Sequence, residues 1–187
     1  MSYLRSFRPW IAYGIASAVI DWRAAAAIAF LVATREVHRQ TAEHGDVDDL
    51  TVTTRWFFLG LTVLSLARPD TPLHHYTPAL SLLALGTAAA WSLLEGDPFT
   101  STIAKRTSPV EFWELPLFRR ANTTITVVWA ASFLVTAAAC ATILALAPSA
   151  TAAWVGAEAL GFAIPVIFTA AYRQHLRDRV LQGVSTA

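Results

Sequence analysis

Charge is scarce in this sequence. Charged residues make up 14% of the 187 positions, against about 25% in soluble domains. They are clustered, so long apolar gaps separate them. Lysine occurs once, at Lys105, against thirteen arginines. Cysteine also occurs once, at Cys140 inside an apolar run. That excludes an internal disulfide and any cysteine-based metal set, and it reads as a buried, inert thiol. The net charge of +1 offers none of the basic surface that nucleic acid demands. Catalytic signatures are missing as well: there is no G-x-S-x-G, H-E-x-x-H or glycine-rich phosphate loop. The histidines are His38, His44, His74, His75 and His175. They are spread so that no haem or metal set converges from different helices. No cofactor and no enzymatic activity are expected.

Apolar surface is abundant. Hydrophobic residues reach 55% without counting glycine, where soluble domains reach about 45–50% with it. A soluble chain of this length could not bury that much apolar surface. Lipid is the solvent that fits, and the fold class expected is an all-α, polytopic transmembrane bundle. Alanine is the commonest residue and arginine replaces lysine, a bias of high-GC bacterial genomes.

A spanning helix needs about 20 residues. Runs at 73–94, 122–147 and 151–172 meet that length. The run at 51–67 is shorter, with Arg55 snorkelling at its end. At the N-terminus, 9–20 is apolar, Asp21-Trp22-Arg23 interrupts, and a second apolar stretch occupies 22–37. Twelve helical residues cover only about 18 Å. Three readings are open here: a helical hairpin turning at Asp21-Trp22-Arg23, one tilted helix with Asp21 and Arg23 near its middle, or a cleaved signal peptide. The charge pattern favours the hairpin. Arg35, Arg39, Arg55, Lys105, Arg106, Arg119, Arg120, Arg173, Arg177 and Arg179 fall on one side of the bundle, and Arg68 alone on the other. Positive loops face the cytoplasm. Placing Arg5 and Arg8 there too requires an even number of crossings. The expectation is about six membrane helices, the first two short, in a single domain with both termini cytoplasmic, in a bacterial inner membrane. Five spans is the alternative.

Arg68-Pro69-Asp70-Thr71-Pro72 and Ala147-Pro148-Ser149-Ala150 are tight turns, where proline stops helices. The stretch from Arg35 to Asp49 is polar enough for a solvated connector. In the longer loop, Ser108-Pro109-Val110-Glu111 reads as a helix start with a capping box. It predicts a short interfacial helix over 109–115, anchored by Phe112 and Trp113 and flanked by cations.

Small residues four apart recur at Gly86/Ala90, Ala137/Ala141 and Ala157/Gly161, spacing that permits close helix contact in lipid. Three charges stand out as candidate intramembrane polar residues, because ionisable groups at membrane depth are costly and often functional. They are Asp21, Arg23 and Glu158. Asp21 and Arg23 have a plainer role at a turn, with Trp22 in the interfacial belt. Glu158 is either a pathway carboxylate or a group within reach of the interface, and Pro165 further along predicts a kink.

The order of features resembles the intracellular septation protein A family, the YciB-like inner-membrane proteins of bacteria. The likeness lies in Phe7-Arg8-Pro9-Trp10-Ile11-Ala12-Tyr13, in Asp21 followed by the alanine-rich 24–34, and in the loop Pro109 to Pro116. That loop leads into a helix bearing Asn122, Trp129, Ala130 and Phe133. Asp97-Pro98-Phe99-Thr100 looks closer to a related set of small bacterial membrane proteins. The resemblance implies a scaffold or interaction role in envelope maintenance or septation. Its partners would be the lipid bilayer and other membrane proteins of the envelope or division machinery. A transporter or channel for protons or a small solute, using Asp21, Arg23 and Glu158, is the alternative. A pathway predicts Asp21 and Glu158 on one cavity; a scaffold predicts both at turns or headgroups.

Overall fold

The computed structural model describes residues 7–185, with side chains through Arg179. Among them the chain is all helical. Its helices are α1 (Arg8–Val19), α2 (Trp22–His44), α3 (Asp49–Ala67), α4 (Thr77–Leu94), α5 (Phe99–Lys105), α6 (Pro116–Leu146) and α7 (Thr151–Ser185). Two 3-10 segments, Pro72–Tyr76 and Val110–Phe112, precede α4 and α6. Four segments are long and apolar enough to cross a membrane: Asp49–Ala67, Pro72–Leu94, Pro116–Leu146 and Thr151–Arg179. The described part of the chain is thus a helical bundle whose four long apolar helices are compatible with a multi-pass membrane protein.

The N-terminal segment is a helical hairpin. Pro9 sits in the first turn of α1, where its missing N–H costs nothing. The chain reverses at Ile20-Asp21. Asp21 is extended (φ −161°, ψ 167°) and its side chain caps α2. Below the turn, Ala25, Ala26, Ala29 and Ala33 are fully buried. Alanine on that face lets α2 lie close to α3, where Ala26 and Ala29 pack with Phe58 and Leu61. α1 crosses the same cluster through Trp10 and Tyr13, and the Trp10 indole N–H donates to Thr54 Oγ1 at 3.2 Å.

The larger core lies between α4 and α6, with α5 and α7 on its flanks. Leu82, Leu85, Ala89, Phe99, Ile125, Trp129, Phe133 and Cys140 form it. Two glycines set the helix separations. A Cβ on Gly86 would lie 2.8 Å from Leu134 Cγ, and one on Gly161 would lie 2.9 Å from Thr136 Cγ2. These two helix pairs therefore approach by way of missing side chains, the packing mode expected in lipid. The outward faces carry Leu66, Val135 and Ile167, each more than 60% exposed, so the bundle presents hydrocarbon to its surroundings.

α7 runs through Pro165 without interruption. Proline has no N–H for the carbonyl four residues back, here Gly161. Ser132 Oγ on α6 donates to that carbonyl at 2.9 Å. Thr169 Oγ1 returns a bond to Pro165 O at 2.7 Å and accepts from the Trp129 indole at 3.0 Å. The neighbouring helix thereby supplies what proline removes, as membrane helices require.

Several boundaries differ from the sequence expectation. The interfacial helix expected over 109–115 is only the 3-10 turn Val110–Phe112, and no side chain caps it. Three residues cannot repay helix nucleation, so Ser108 and Glu111 form no capping box. α6 begins at Pro116, not at 122, and the helix Phe99–Lys105 was not anticipated. α2 continues past 37 to His44, where Gly45 at φ 76° closes it. The presumed connector 35–49 is thus mostly helix, and Glu36, Gln40 and Asp48 within it are buried. α7 likewise continues beyond Tyr172.

Candidate functional site

A cavity of about 930 Å³ opens at the end of the bundle where His74 and Pro148 lie. Five helices, α1, α2, α4, α6 and α7, and the 3-10 segment Pro72–Tyr76 wall it. Tyr13 comes from α1, Thr77 and Ser81 from α4, Leu144 from α6, and Trp154 and Glu158 from α7. Glu158 lies seven residues into α7, about 10 Å from the helix start at 1.5 Å per residue. It is half-buried and is the only carboxylate among the described residues of the cavity wall. Its carboxylate makes no hydrogen bond or ion pair with a described residue. Tyr13 is half-buried and lines the same cavity. The Thr77 hydroxyl donates to His74 O at 2.7 Å.

The lip is aromatic. Trp22 stacks on His74 with ring centres 5.1 Å apart and planes within 8°. His74 Nδ1 lies 2.6 Å from Thr71 O, and His75 sits against it at 3.9 Å between ring centres. At the closed end, Trp10 and Phe162 are shared with a second, apolar groove of about 300 Å³. That groove runs between Ile11 on α1 and Val166 on α7, floored by Trp129.

Of the three candidate intramembrane charges, only Glu158 faces this cavity. Asp21 Oδ1 accepts from the backbone N–H groups of Arg23 (2.7 Å) and Ala24 (2.9 Å). Those two bonds hold its carboxyl below the usual carboxylate range. Arg23 is exposed and reaches Asp21 Oδ1 only at 3.9 Å. The two are a capping turn, the plainer of the readings open to them. In the loop, Phe112 is half exposed. Trp113 is tucked in, its indole donating to Ser108 O at 3.1 Å beneath Lys105 Nζ at 5.8 Å.

A second polar constellation lies at the opposite end of the bundle, and sequence reasoning missed it. Gln40 Nε2 donates to Thr51 Oγ1 (3.0 Å), and Gln40 Oε1 accepts from Asp48 N (3.1 Å). Asp48 accepts from the backbone and hydroxyl of Thr51, each at 2.9 Å. Arg106 reaches in from the end of α5, donating to Gln40 Oε1 at 3.2 Å and to Asp46 Oδ1 at 3.3 Å. Its Nη1 is 3.9 Å from Asp48 Oδ2. The cluster joins α2, the α2–α3 turn and α5. A signal for it existed: Glu36 and Gln40 continue the three-and-four spacing of Ala25, Ala29 and Ala33 onto the buried face. Among the described residues, no three His, Cys, Asp or Glu side chains converge as a metal set.

Comparison with protein families, curated proteins and solved structures finds no match to this chain.

Proposed function

We propose that this protein is a multi-pass, non-enzymatic membrane protein that binds a small solute in the Glu158 cavity, the transport-class reading of the two that the sequence left open. One observation carries it. A carboxylate about 10 Å along an apolar helix faces a cavity wide enough for a small molecule and has no protein partner there. Keeping such a group at membrane depth is costly unless it has work to do. Pockets of about 300–1,000 Å³ with few polar groups are typical of ligand sites.

The scaffold reading, in envelope maintenance or septation alongside other membrane proteins, is supported by the family resemblance and by the capping role of Asp21. Proteoliposomes with an entrapped pH dye separate the two. Protein-dependent flux, alone or with an added solute, that disappears in Glu158→Gln while helicity is retained is the expected outcome. Absence of flux, with an envelope phenotype that survives Glu158→Gln and fails in Gly161→Leu, would restore the scaffold. We also infer a bacterial inner-membrane location, six crossings and cytoplasmic termini. The arginine distribution supports this, and the N-terminal hairpin supplies the even count. Reporter fusions at Thr71 and Ala150 should read outside, and those at Gly45 and Ala187 inside.

A further inference from the structure

We infer that the Glu158 cavity and the adjoining groove together form one site for an amphiphilic organic monocation, an amine or quaternary ammonium with an apolar tail. This rests on the solute-binding reading above and names its ligand class.

The charge assignment follows from the wall. Among the described residues Glu158 is its one carboxylate, and no lysine or arginine lines it. A cation entering there gains an attraction that nothing in the wall opposes, and an anion meets only repulsion. The other ionisable side chains of the wall are Tyr13, His74, His75 and Tyr76, none of them a carboxylate. The remaining surface suits a poorly hydrated cation. Trp10, Tyr13, Trp22 and Trp154 line the same cavity as the carboxylate, and aromatic walls are how proteins hold quaternary ammonium groups.

The tail assignment follows from continuity. Trp10 and Phe162 belong to both cavities, so the apolar groove starts where the carboxylate chamber ends. No polar surface lines that groove. It follows α1 and α7 along the bundle, and α1 and α7 are not among the extensively packed helix pairs. An alkyl chain or aromatic tail can lie there with its head at Glu158. The absence of arginine and lysine also argues against a phospholipid head, whose phosphate would sit beside Glu158 uncompensated.

The test uses the full-length protein in nanodiscs at pH 8 and radiolabelled tetraphenylphosphonium, with empty nanodiscs correcting for partition. Saturable binding is expected, displaced by decyltrimethylammonium at least tenfold better than by neutral decyl maltoside or anionic decyl sulfate. Glu158→Gln should weaken binding at least tenfold, and Glu158→Asp, which keeps the charge, less than threefold. Affinity should rise with tail length from tetraethylammonium to the decyl compound. Val166→Trp, which fills the groove from a half-exposed position, should abolish that rise and change tetraethylammonium displacement less than twofold. If the neutral or anionic probes bind as well as the cation, or Glu158→Gln changes nothing, the ligand class is wrong while a solute cavity stands. If Val166→Trp affects short and long cations alike, the tail path is wrong. If no probe binds saturably, the cation site is wrong, and the solute-binding reading stands or falls separately on the Glu158-dependent flux in proteoliposomes.

Discussion

Removing the hydroxyl of Ser132 should expose the cost of Pro165. The proline leaves the Gly161 carbonyl without its helical donor, and Ser132 Oγ replaces it at 2.9 Å from α6. In Ser132→Ala that oxygen has no donor, in a segment apolar enough to sit in hydrocarbon. An unsatisfied buried acceptor costs about 1–3 kcal/mol. Interhelical hydrogen bonds measured in membranes average about 0.6 kcal/mol and reach about 1.7 kcal/mol. The two ranges overlap near 1–1.7 kcal/mol, which is the expected loss. Pro165→Ala restores an N–H at the position that feeds Gly161 O. In that background Ser132→Ala should cost only a few tenths of a kcal/mol, giving a coupling of about 1 kcal/mol. Reversible unfolding in mixed micelles, with the four variants compared at equal protein and lipid, measures the cycle. A Ser132→Ala cost that is the same with and without Pro165 would refute the account, because the hydroxyl would then be serving something other than the proline gap.

Gly86→Ala should destabilise by about 1–3 kcal/mol through overpacking, since its Cβ meets Leu134 side chain and backbone. Gly60→Ala, with nothing within 4 Å, should be neutral or stabilising by up to about 1 kcal/mol. The same unfolding assay compares them. Arg106→Ala should cost about 2–4 kcal/mol, because the Asp48 side chain is fully buried and loses a cation. Arg106→Lys should recover only part of this, since lysine cannot donate in a fork to Gln40 and Asp46. Asp21→Asn keeps the cap and removes the titration. Because the folded carboxyl of Asp21 is depressed by its two backbone donors, its contribution is present above the ordinary carboxylate range and is lost as pH falls through the lowered value. The wild-type Tm should therefore drop further in acid than that of Asp21→Asn, and equal drops would show that the cap is uncharged or unmade.

The solvent and the element type were legible in the sequence because they depend on local quantities. Apolar runs at 51–67, 73–94, 122–147 and 151–172 locate the four long helices, since the length of hydrocarbon to be crossed sets the length of the run. The turn at Asp21 was one of three readings the sequence left open, favoured by the arginine distribution, and its capping of α2 is seen only in the structure. The short loop turn at 110–112 was overcalled: its residues favour a helix start, yet too few follow to nucleate one. What only the tertiary structure decided is which polar groups share a space. Glu158 and Tyr13 lie 145 positions apart in the chain, and no periodicity links them; they line one cavity because α1, α4, α6 and α7 all border it. Arg106 looked like one more loop cation, yet α5 carries it inward to Gln40 and Asp48. Ser132 and Gly161 are paired only because α6 and α7 touch at a residue without a side chain. Pattern along a chain reports the solvent each face meets, whereas a site depends on distances across the bundle, which packing alone sets.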